Sequence, residues 1–151
     1  MVLKAQRFDH NREKKAKSTY MILKLVTVFV TVIIGYGYTP SIFAVDSDTL
    51  TFFGMNGFDI KISDIKSIEI AERIPAIKSR SNGFSLGNIN KGYFALEGMD
   101  KCRLLLHYNK QPYIVFTQTN NKKIIINFSE KFKTEDIYNT INNLIKSQTQ
   151  Q

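Results

Sequence analysis

The chain has no tryptophan, a single cysteine, two histidines and three prolines in 151 residues. Cys102 alone cannot close an internal disulfide, and no grouping of Cys and His offers zinc-ligand spacing. With few prolines and eight glycines, a collagen-like or Pro/Gly-rich disordered chain is excluded, and an apolar fraction of 43% is that of a folded domain. Acidic residues are also scarce. Thirteen Asp and Glu stand against 21 Lys and Arg, and Asp59, Asp64, Glu69 and Glu72 fall where a solvated strand places them rather than as a catalytic pair. Cys102 and His107, an odd separation apart on one predicted strand, face opposite ways and cannot act as a couple. Gly87 and Gly92 have the separation of a Walker loop, but Tyr93 stands where that motif needs lysine. Asn127-Phe128-Ser129 is formally a glycosylation acceptor, set inside a predicted strand. The chain therefore reads as a non-enzyme with no cofactor and no metal.

The net charge of +8 is unevenly spread, because residues 1–24 hold seven bases against two acids, which leaves +3 for the remainder. A nucleic-acid partner needs a dense basic face on the folded part, and this distribution argues against one. Beside the basic segment lies YMILKLVTVFVTVIIGYGYTPSIFAV, residues 20–45, with no charge from Leu25 to Tyr38. It reads as a single-pass transmembrane anchor, with Lys24 snorkelling to the basic side and Tyr36 and Tyr38 near the far interface. The positive-inside rule then assigns residues 1–19 to the cytoplasm as a basic tail and the remaining domain to the extracytoplasmic side of the cell membrane. A cleaved signal peptide ending at Ala44 is the competing reading.

From Asp46 onward short strand-like runs alternate with turn residues. Seven strands are predicted: Thr49–Phe53, Phe58–Ile62, Lys66–Arg73, Gly92–Glu97, Lys101–Tyr108, Pro112–Gln118 and Lys122–Phe128, with turns at Gly98-Met99-Asp100, Asn109-Lys110-Gln111 and Thr119-Asn120-Asn121. The triplets Leu104-Leu105-Leu106 and Ile124-Ile125-Ile126 imply strands covered on both faces. A C-terminal helix is expected to cover them, capped by Thr134, with Glu135 and Asp136 in its first turn and one apolar stripe of Ile137, Ile141, Leu144 and Ile145. Residues 148–151 read as a disordered tail.

This pattern, carried by IKISDIKSIEI (Ile60 to Ile70), ERIPAIKSRSNGFSLGNINKGYF (Glu72 to Phe94), LEGMDKCRLLLH (Leu96 to His107), PYIVFTQTNNKKIIINF (Pro112 to Phe128) and the terminal helix, resembles the bacterial pleckstrin-homology-like domains that follow a membrane helix. The resemblance implies a mainly β, seven-stranded partly open barrel over residues 46–147, in meander order and closed by one C-terminal helix, acting as a binding module. Phosphoinositide-binding members of the wider superfamily carry bases on the first two strands and the loop between them. Thr49 to Gly57 has none.

One segment exceeds what a connection needs. Pro75 to Lys91 is a seventeen-residue predicted loop, beyond the usual length of structureless connections. Lys78, Arg80 and Lys91 would supply charge, Asn82 and Asn88 amide donors, and Gly83 and Gly87 close backbone approach. It is the candidate ligand-binding site, for a membrane or envelope protein partner or, alternatively, for an anionic lipid headgroup or small ligand. The bland counterpart is a plug in which Phe84, Leu86 and Ile89 fold back on the barrel.

Overall fold

A computed structural model describes residues 2–108, 110 and 112–149, with side chains between residues 14 and 148. The chain forms two units, one up to Tyr36 and one from Gly37 onward. The first is almost all of helix α1 (Val2–Tyr38). Its stretch Lys14–Tyr38 is 25 residues long with a mean hydropathy of 1.9. At 1.5 Å per residue that is about 37 Å, enough for the roughly 30 Å hydrocarbon core of a bilayer. Thr27 and Thr31 return their hydroxyls to the carbonyls of Leu23 and Thr27, so neither brings an unmet polar group to that environment. The helix is shorter at its end than the expected span of 20–45. Pro40 has no N–H and disfavours α geometry at Thr39, and Ile42–Asp46 continue as a strand. The basic segment expected as a tail is helical in its backbone from Val2, continuous with the apolar stretch.

The second unit is mainly β. Among the described residues nine strands form, against the seven expected: β1 (Ile42–Asp46), β2 (Thr49–Phe53), β3 (Phe58–Lys61), β4 (Ile65–Ala71), β5 (Ile77–Leu86), β6 (Ile89–Leu96), β7 (Met99–Leu106), β8 (Tyr113–Gln118) and β9 (Lys123–Ile126). They make two sheets, β1-β2-β3 and β4-β8-β9-β7-β6-β5, and no closed barrel. The meander order does not hold, because β7 pairs in parallel with β9 and β4 pairs with β8. The expected turn at Asn109-Lys110-Gln111 includes two residues, 109 and 111, that lie outside the described ones.

The central strands of the six-stranded sheet, β7, β8 and β9, are buried on both faces, as the apolar triplets require. Leu105, Ile124 and Ile126 point to one side, where Leu50, Phe52, Ile60 and Ile62 of the smaller sheet region and Ile137 and Ile141 of helix α2 (Lys131–Thr149) meet them. Leu104, Leu106 and Ile125 point to the other, with Phe94, Leu96 and Cys102, and with Ala71, Ile74 and Met99 packed alongside. Each such fully buried side chain contributes about 1.5–3 kcal/mol. The stripe on α2 lies as its periodicity dictates, with Leu144 and Ile145 also against the first cluster. The cap differs. The helix begins at Lys131, so Thr134 sits inside its first turn. There its hydroxyl accepts Phe128 N–H at 3.0 Å and bonds back to Glu130 O, tying the helix to the strand before it. Of residues 148–151, expected as a disordered tail, 148 and 149 instead continue the helix, and 150 and 151 lie outside the described residues.

Candidate functional site

The seventeen-residue candidate loop is a β-hairpin. β5 and β6 pair from Ile77↔Leu96 to Leu86↔Ile89 across a tight turn at Gly87-Asn88. Its placement separates the candidate residues. Lys78, Arg80 and Asn82 are exposed on β5, which ends the sheet order, while Gly87 and Asn88 are exposed at the tip. Lys91 is fully buried on β6, so it does not join Lys78 and Arg80 on one surface. Gly83 and Gly92 pair across the strands with φ of +120° and +131°. A Cβ at Gly92 would sit 2.3 Å from Asn82 O, so only glycine lets the two backbones come this close.

Beyond that glycine pair the hairpin holds the start of the second unit. Phe84 packs edge-on to Tyr38 and lies over Gly37, and Lys91 Nζ donates to Thr39 O at 2.8 Å. Leu86, by contrast, is exposed. His107 completes the grip: its Nε2 accepts Ser41 N–H at 2.9 Å and lies 2.8 Å from Ser41 Oγ. Burial lowers the Lys91 ammonium to about 8. Burial, with repulsion from Lys91 and Lys133, lowers His107 to about 4, which keeps the imidazole neutral as its acceptor role demands. The Cys102 thiol is buried on the opposite face and pushed up to about 12, chiefly by burial, which makes it a poor nucleophile. Asn127 is also spent on structure. Its amide accepts His107 N–H and donates to the carbonyls of Tyr108 and Lys110, and it is 1% exposed, so the side chain of the formal glycosylation acceptor is a buried clamp.

A second basic locus was not anticipated. A cavity of about 290 Å³ opens where β3, β6, β7 and the β8–β9 hairpin converge. Lys101, Arg103, Lys122 and Lys123 line it, with Gln118, Asn120 and the rings of Phe58 and Tyr93; Asp59 is its one carboxylate. Arg103 is held in place. Its guanidinium lies 4.6 Å from the Phe58 ring centroid and 5.1 Å from that of Tyr93. It donates to Tyr93 Oη at 3.2 Å and to the carbonyls of Asn56 and Gly57 at 3.3 and 3.1 Å. Arg103 thus pins the β2–β3 turn to the large sheet. Lys101 lies over the other aromatic wall, 5.2 Å from Tyr93. The alternation Lys101-x-Arg103, opposite in face to Cys102 and Leu104, was a readable signal of two cations on one sheet face. What no local pattern indicated is that Lys122 and Lys123 arrive beside them.

No family model, curated protein or solved structure matches the chain.

Proposed function

We propose that this protein is a membrane-anchored, pleckstrin-homology-like binding module rather than an enzyme, with its basic N-terminal segment in the cytoplasm and its β domain on the other side. The ligand we assign to it is an extended, acidic segment of a membrane or envelope protein, added as a strand along β5. The observation that carries this reading is that β5 is a ten-residue strand at the end of the sheet, with Ile77–Asn82 exposed. Such an edge offers unpaired backbone groups to an incoming strand. Lys78 and Arg80 on it, with irregular register at both, disfavour pairing with a second copy of this basic edge and favour an acidic occupant. The two residues from which a Cys-His catalyst could be built point to opposite faces, and neither is chemically activated, which supports binding over catalysis.

The test is a photo-crosslinking amino acid placed at Ser79 in the full chain, in native membranes, with Asn143 on the exposed side of α2 as the control position. A protein adduct of constant mass is expected from Ser79 alone, abolished by Lys78→Glu/Arg80→Glu. Equal adducts from both positions, or none from Ser79, would overturn the reading. Protease digestion of intact cells checks the topology: residues 46–151 found shielded would reverse the assigned orientation.

A further inference from the structure

The geometry points to a second, separate binding site: the cavity walled by Lys101, Arg103, Lys122 and Lys123 takes the phosphate group of a small phosphomonoester or of a phosphomonoester lipid headgroup. Four cations share one space with one carboxylate, and Asp59 is exposed to solvent at its margin. Like charges gathered this closely repel, and partly enclosed walls concentrate their field, so the wall favours an anion of more than one charge. Phosphate meets that demand better than a single carboxylate does. Size agrees: 290 Å³ is roughly ten water volumes, too little for a drug-sized ligand but ample for a phosphate on a short organic stem.

Hydrogen-bond supply points the same way. Arg103 Nε is, among the described residues, the buried side-chain polar atom that finds no acceptor, while Nη1 donates to Tyr93 and Nη2 to the two turn carbonyls. The guanidinium is therefore a fixed charge, held between two rings, and does not have to be ordered on binding. Lys101 and Lys122 are exposed and free to close over the ligand as point charges. Gln118 and Asn120 add amide groups at the rim. The site owes nothing to Lys78 or Arg80, which lie on the edge strand two strands away from β7.

The experiment uses the full chain in phosphatidylcholine nanodiscs, titrated with inorganic phosphate and with glycerol 3-phosphate and followed by phosphorus NMR. Saturable binding of glycerol 3-phosphate is expected, weakened about tenfold or more in Lys101→Gln/Lys122→Gln through loss of two charge-assisted contacts. The same binding is expected to be unchanged in Lys78→Gln/Arg80→Gln. Both lysines are exposed, so the double variant keeps the fold, which circular dichroism verifies; Arg103→Lys, which keeps charge but not the fork, is expected to be weakened as well. Nanodiscs that also contain phosphatidic acid separate the two sources. Loss of soluble-ligand binding there assigns the site to a lipid headgroup, and its retention assigns it to a soluble phosphomonoester. No saturable binding of either probe, or binding indifferent to Lys101→Gln/Lys122→Gln, overturns the proposal.

Discussion

The β5–β6 hairpin and the cavity around Arg103 are both basic, but they are assembled in opposite ways. The hairpin is contiguous in sequence and its charges diverge in space: Lys78 and Arg80 lie on an exposed edge, and Lys91 points inward to Thr39. The cavity draws its cations from β7 and from the β8–β9 hairpin, whose parallel and antiparallel pairings bring them together. Nearness along the chain is thus a poor guide to convergence in a sheet. Side chains alternate between faces, and pairing is set by strands far apart in sequence. The hairpin spends Phe84 and its buried lysine on gripping residues 37–39, and the cavity leaves its exposed Lys101 and Lys122 available.

The sharpest way to break this contrast is at the glycine pair. Gly92→Ala would put a Cβ 2.3 Å from Asn82 O at a backbone conformation L residues avoid. A loss of about 3 kcal/mol or more is expected in thermal unfolding of the full chain. Gly98, also at positive φ but with nothing within 4 Å of a Cβ, serves as control; Gly98→Ala should cost only about 1 kcal/mol.

Acid should loosen the contact between His107 and Ser41. His107 is held at about 4 in the folded chain against an ordinary 6.5, so between those values the unfolded chain binds the proton first. Its contribution is complete above pH 6.5 and is lost as pH falls toward 4, a change of at most about 3 kcal/mol. Lys91, held at about 8 against 10.5, has the same sign in a second window, stability rising with pH between 8 and 10.5. His107→Gln should remove the acid step and spare the alkaline one, as read by unfolding midpoints across pH. A profile unchanged by that substitution would show that His107 is not the group responsible.

Much of the core was legible in the sequence. The Leu104–Leu106 and Ile124–Ile126 triplets announced a sheet buried twice over, and residues from each triplet occur in both clusters. The stripe from Ile137 to Ile145 announced the helix that covers one face. Two strands were hidden for different reasons. β1 continues an apolar run, so Ile42–Val45 read as part of the span until Pro40 is weighed as a helix stop. β5 reads as a turn because an edge strand in solvent needs no apolar alternation, and Ser79, Ser81, Asn82 and Gly83 have low strand propensity. The β7–β9 parallel pairing leaves no local trace, and the cavity depends on it. Arg103→Met measures how firmly the β2–β3 turn is tied to the large sheet: removing three donated bonds and two ring contacts should cost about 2 kcal/mol in unfolding experiments.

The smallest expected effect on stability is the most telling about the hairpin. Lys78→Glu/Arg80→Glu changes two exposed side chains, and surface substitutions of this kind move stability by about 0.5 kcal/mol or less. If β5 only shields the sheet, reversing its charge leaves both folding and partner crosslinking at Ser79 as they were. If β5 pairs with an acidic strand, folding stays the same while like charges now face each other across the new pair and the crosslink disappears. Glycerol 3-phosphate binding at the Arg103 cavity should be untouched in either case, since β6 stands between β5 and β7 in the sheet. A charge reversal that weakened both readouts together would mean the two basic regions act as one surface, and the division drawn between them would fail.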